Sequence, residues 1–267
     1  MSHLTNESLP LHNWDVRTPL HLDRHYAHAP ITEAIIELSC DLPVDVTLED
    51  LAHVVDRELF VSESQALLIS GRIEVGPEGI KGDTTGQQVG YVYRRSDGSR
   101  VIQSRLNGFA YSVLAPYDRW ETFSAEAWQH WQKYKEITHP AKVTRLGVRF
   151  INKIDIPQAS IEIKDYLRTA VDVSPYLPQV TDGYFLQVVV PLLNLDASAT
   201  ITSTVVPPYS PDTTSLILDI DTWRRLDVPV SDDTESERLL AALNELRIAK
   251  NFVFEACITD ATRGLIN

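Results

Sequence analysis

Two stretches of the chain alternate apolar and polar side chains with the same period and the same ending. In the first the even positions are Ala34, Ile36, Leu38, Cys40 and Leu42; in the second they are Val148, Phe150, Asn152, Ile154 and Ile156. A period of two marks a strand with one buried face. Asp41-Leu42-Pro43 closes the first run and Asp155-Ile156-Pro157 the second, a shift of 114 (155 minus 41). Asn152 breaks an otherwise apolar pattern.

A helix is expected after each run. Thr47 and Asp50 resemble a capping box, and Leu48, Leu51, Val54, Val55 and Leu59 then share one helical face. The second half offers Ser160 followed by Ile163, Tyr166, Leu167 and Val171, a weaker parallel. Strands are predicted over 72–75, 89–95, 100–105 and 109–114 in the first half, and over 184–190, 199–206 and 215–220 in the second. Asp97-Gly98 marks a hairpin, because glycine accepts the positive φ of a type I′ turn. Each half closes with a helix, carried by Trp120, Phe123, Ala127, Trp131 and Tyr134 in one and by Leu239, Leu243, Leu246 and Lys250 in the other. The polar Lys250 predicts that the second stripe is ending there.

These elements describe an α+β chain of two tandem β-α-β-β-β-α units. The sheet is mainly antiparallel, the helices pack on one face, and the two long first strands lie at the centre. Residues 1–28 read as a flexible N-terminal arm, 29–139 as the first unit and 140–267 as the second. The seam is set by Pro140, which disfavours helix in the residue before it.

Composition narrows the function classes. The formal charge of -13 argues against direct nucleic-acid binding, which needs clustered Lys and Arg. Cys40 and Cys257 are too few for a disulfide framework or a structural zinc site, so a reducing, cytoplasmic setting is expected. No apolar run approaches the roughly 20 residues that span a bilayer, and no membrane association is expected. Five histidines, His3, His12, His21, His25 and His28, fall in the arm, where a solvated tail is a simpler reading than a metal site. Gly76, Gly79 and Gly82 lack the spacing of a dinucleotide loop and read as a turn-rich segment. No metalloprotease, nucleophile-elbow or P-loop motif is present, so no cofactor, metal or catalytic residue is assigned. The aromatic helix around Trp120, Trp128, Trp131 and Tyr134 is broad enough to be core or, in part, a dimer surface.

Three segments carry a resemblance. Ala29-Pro30-Ile31-Thr32-Glu33-Ala34-Ile35-Ile36-Glu37, the central Val143-Thr144-Arg145-Leu146-Gly147-Val148-Arg149-Phe150-Ile151-Asn152 and the closing Lys250-Asn251-Phe252-Val253-Phe254-Glu255-Ala256-Cys257-Ile258-Thr259-Asp260 resemble a sporadically distributed family of uncharacterised prokaryotic proteins of about this length. That family has A-P-I-x-E-A near the start and I-T-D near the end. The resemblance implies patchy inheritance, as in mobile-element, phage-defence or toxin-antitoxin loci. It supplies no site residues.

The chemistry worth testing lies on the face opposite the helices. With even positions in the core, Glu37, Arg149 and Lys153 point to the reverse face, joined by Asp219 and Asp221 from the strand of Leu216, Leu218 and Ile220. Such residues hold cross-strand ion pairs on a solvated sheet, or they bind a ligand or partner. The leading expectation is a non-catalytic binding or regulatory protein acting on a protein partner, a second copy of itself included, within a phage-defence or toxin-antitoxin locus. The alternative is a small-molecule-binding protein or enzyme with a polar pocket on the open sheet face.

Overall fold

A computed structural model describes residues 24–76, 79–178, 183–231 and 234–267. The first half contains β1 (Ile31–Asp41), α1 (Leu48–Leu51), β2 (Ser62–Gly76), β3 (Gly79–Arg94), β4 (Arg100–Arg105), β5 (Gly108–Leu114) and α2 (Trp120–Thr138). The second contains β6 (Lys142–Ile156), β7 (Phe185–Leu192), β8 (Ala197–Val206), β9 (Thr214–Pro229), α3 (Glu235–Cys257) and α4 (Asp260–Ile266). All nine strands join one antiparallel sheet in the order β2-β3-β4-β5-β1-β6-β9-β8-β7. The expected α+β antiparallel architecture is present, and the sheet runs unbroken across the 139/140 seam. Most of the 1–28 arm lies outside the described residues. Its last part is docked, with the Tyr26 hydroxyl donating to Glu255 at 2.5 Å and the His28 amide to the Ile266 carbonyl at 3.0 Å.

The two alternating runs pair with each other at the centre of the sheet, Ala34 against Phe150 and Ile36 against Val148. Their even positions are buried from Ala34 to Cys40 and from Val148 to Ile156. Asn152 is buried with them, its Nδ2 donating to the Phe150 and Leu218 carbonyls at 3.3 and 3.0 Å. On that face α3 lies over β6 and β9, and α2 lies over β5. Trp131 stacks on Tyr134 at 5.6 Å and is fully buried, so the aromatic stripe of α2 is core; Trp128 sits partly buried at its margin.

Several local expectations are corrected. The capping box forms, with the Asp50 carboxylate accepting from the Thr47 amide and hydroxyl at 2.8 Å each. The helix it starts has only four residues, and Val54 and Val55 pack into the core from turns. The helix expected after Ser160 is a single 3-10 turn, Ile163–Asp165. Further helix is blocked because the carbonyls of Asp165 and Tyr166 accept from the Thr259 and Thr262 hydroxyls, while Leu167 bridges to Ile258. The Asp97-Gly98 hairpin is present, but of the pair only Gly98 has positive φ, +74°, which is not the type I′ geometry. Asp97 instead accepts from the Ser99 amide at 2.9 Å. The segment around Gly76, Gly79 and Gly82 is the end of a long β2–β3 hairpin, so the first half has four strands after its first helix. Finally, α3 does not end at Lys250; it continues to Cys257, and Lys250 points inward.

The burial pattern sets a stability expectation. Trp131→Ala should cost about 3–5 kcal/mol in equilibrium urea unfolding, and Trp128→Ala about 1–2 kcal/mol. Equal costs would mean that α2 is not seated on its Trp131 side.

Candidate functional site

Strand alternation delivers the five predicted residues to the reverse face, and the geometry sorts them into two groups. Glu37 of β1 accepts from Arg105 of β4 and from Arg145 of β6, the latter at 2.8 Å. Arg145 also donates to Asp221 of β9 at 2.7 Å, and its guanidinium lies 5.4 Å from the Trp223 ring. Four residues further along β6, Arg149 makes a two-pronged contact with Asp219 at 2.9 and 2.6 Å. Lys153 stands apart, paired with Asp155 at 3.2 Å and with its ammonium 5.9 Å from the Tyr209 ring.

Arg105 and Arg145 were not among the predicted site residues. Arg145 carried a readable signal: it shares the reverse-face phase with Gly147 and Arg149. Gly147 is what lets it reach across. A Cβ at position 147 would sit 2.9 Å from Arg145 Nη1 and 3.3 Å from Asp221 Oδ1. The bare backbone leaves room for the guanidinium to bridge Glu37 and Asp221 over the strand.

The network is half-buried and balanced, three carboxylates (Glu37, Asp219, Asp221) against three guanidiniums (Arg105, Arg145, Arg149). Burial would raise the Glu37 carboxyl, but Arg105 and Arg145 outweigh it and hold the group below its ordinary value. Asp221 goes the other way, because burial, helped by the Glu37 charge, outweighs Arg145 and Arg149. The hydrogen bond from Arg149 to Asp219 raises the guanidinium's affinity for its proton. Arg149 is the most open member, and with Asp219, Asp221, Phe185, Gln187, Thr200 and Thr202 it lines a cleft of about 360 Å³.

Chemically, each carboxylate of the network is engaged by a guanidinium, Glu37 by Arg105 and Arg145, Asp221 by Arg145 and Asp219 by Arg149, so the carboxylates are occupied within the sheet rather than directed at a substrate. Among the described residues no group of His, Cys, Asp and Glu could hold a metal ion. No helix among them is long and apolar enough to cross a membrane. The arrangement suits a rigid polar platform that offers Arg149 and the threonine rows of β8 to a ligand.

No protein-family model matches the chain, and no curated protein matches it.

The network makes a pH-dependent prediction. Glu37 has a folded pKa below its ordinary 4.5, so the stability it contributes is present above that pH and is lost as pH falls through the window beneath it. Asp221, raised from 3.8, contributes with the opposite sign: its share declines as pH rises through the window above that value. Glu37→Gln should therefore flatten the acid limb of stability against pH, and Asp221→Asn should steepen it. Arg145→Met, which strips both carboxylates of a partner, should cost about 2 kcal/mol by urea unfolding. Like-signed effects of the two carboxamide variants would contradict the assigned pairing.

Proposed function

We propose that the chain is a non-catalytic binding or regulatory protein whose reverse sheet face, at the β7 margin, takes a protein partner. The observation that carries this reading is the exposure of Phe185 (69 %) and Val189 on β7, beside the Arg149 cleft. Among the described residues β7 is an edge strand paired with β8 alone, so its outer backbone groups can accept another strand. Apolar anchors next to a buttressed arginine are the usual composition of a recognition surface. The charge of -13 favours a partner with a basic surface. The resemblance of the Ala29-Pro30-Ile31, Val143–Asn152 and Ile258-Thr259-Asp260 segments is what suggests a phage-defence or toxin-antitoxin locus as the setting of such a partner.

A repeat accompanies this reading. We infer that the halves are copies of one β-α-β-β-β-α unit, with β2 added in the first and the early helix shortened to a turn in the second. Its support is arithmetic: the shift of 114 carries residue 35 onto 149, and Ile35 is the register partner of Arg149. A local two-fold axis through that pair exchanges Ala34–Phe150 with Ile36–Val148.

Photo-crosslinking in the source organism tests the partner. A benzophenone amino acid at position 185 should capture one stoichiometric protein, and the same group at position 240, exposed on α3, should not. A Phe185→Ser, Val189→Ser double variant should lose the complex. A chain that runs as a monomer and crosslinks at neither position, or equally at both, contradicts the proposal.

A further inference from the structure

A separate cavity lies on the helix side of the sheet, where two polar interruptions in the apolar patterns meet. It measures about 520 Å³ and is bounded by the 24–31 segment, the 115–118 turn, β6 and α3. Asn152 and Lys250 both line it. Lys250 Nζ lies 3.8 Å from the centroid of the Phe150 ring, and among the described residues no carboxylate pairs with it.

The other charged groups around the cavity are accounted for. Glu255 of α3 accepts from the Tyr26 hydroxyl at 2.5 Å and from Arg263 at 3.0 Å, so it is not the counterion of Lys250. Asp118 is mostly exposed and lies 3.7 Å from Arg119. Arg247, one turn before Lys250 on α3, adds like charge, and Arg24, His25 and His28 are the basic groups of the N-terminal segment. Tyr117 contributes a neutral phenol, whose pKa burial raises. A cation over an aromatic ring in a walled space, with no counter-charge among the described residues, is the electrostatic half of an anion site.

We propose that this cavity binds a small anionic ligand, carboxylate- or phosphate-bearing, with Lys250 as its charge anchor and Phe150 and Asn152 as the floor. The site is independent of the β7 surface and stands or falls without it. The volume suits a metabolite-sized molecule rather than a peptide chain. Burial, with Arg247 adding, lowers the Lys250 amine to about 7. An anion that pairs with the ammonium raises it again, so binding above that pH takes up a proton.

The test is an NMR-monitored titration of the full chain with sulfate, as a tetrahedral oxyanion, and with acetate, as a carboxylate; neither titrates between pH 6 and 9. One of them should saturate the signals of Phe150, Asn152 and Asn251, with a Kd that is flat below pH 7 and weakens about tenfold per pH unit above it. Saturation by sulfate assigns the site to phosphate-bearing ligands, and saturation by acetate to carboxylates. Lys250→Met should keep the folded spectrum and lose the saturation. If that variant does not fold, the side-chain Cε–Hε signals of Lys250 in the wild type decide: they should saturate with the same Kd as those of Phe150 and Asn152. The proposal is overturned if neither anion saturates those signals, if the Lys250 side-chain signals stay unmoved while the others saturate, or if a folded Lys250→Met binds as well as the wild type.

Discussion

The rest of the molecule depends on the antiparallel pairing of β1 with β6. Because side chains alternate with period two, one register decides which residues of both strands enter the core and which collect on the reverse face. A slip of one residue would expose Ile36 and Phe150 and bury Glu37 and Arg149, and no arrangement of the helices could compensate. Every other strand is added outward from this pair, β5 and β4 on one side and β9 and β8 on the other, so the phase of the central pair propagates to Asp219, Asp221 and Arg105.

The same constraint explains why charges gather on the reverse face without a large electrostatic cost. Guanidiniums and carboxylates on neighbouring rows meet, Arg145 of β6 bridging Glu37 of β1 and Asp221 of β9, and the long Arg105 side chain reaches Glu37 from β4 across the intervening β5. Gly147 contributes as well, since a Cβ there would crowd the guanidinium of Arg145. The outcome is a rigid polar floor with one open member, Arg149, at the side where β7 exposes its apolar residues.

The central strands, their phase and the antiparallel α+β architecture were legible because burial on one face writes itself into alternation. The limits of α2 were legible too, since Pro140 stops a helix and His139 takes the left-handed cap at φ 45°. The long β2–β3 hairpin was not, because glycines and polar residues around Gly76 to Gly86 lack alternation and resemble a loop. The failed helix after Ser160 was hidden for a different reason: its carbonyls are claimed by Thr259 and Thr262, some ninety residues later in sequence. Those contacts also give Ile258-Thr259-Asp260 a structural role as the joint between α3 and α4, with Thr259 capping the latter. Of the reverse-face group, Glu37, Arg149, Asp219 and Asp221 followed from phase alone. Arg105 did not, because nothing in sequence sets the β4–β5 hairpin beside β1, where Arg105 reaches Glu37 across β5. Asn152 and Lys250 were visible as interruptions of two apolar patterns, but their convergence on one cavity needs the tertiary fold.

Native-state hydrogen exchange most directly tests whether one shared sheet centre governs the chain. The amides of residues 33–40 and 143–154 should be the slowest to exchange and should open together, with the same dependence on denaturant. If the two segments open with different free energies, or if either exchanges as fast as the edge strand β7, the halves are independent units and the central pairing is not what holds the fold.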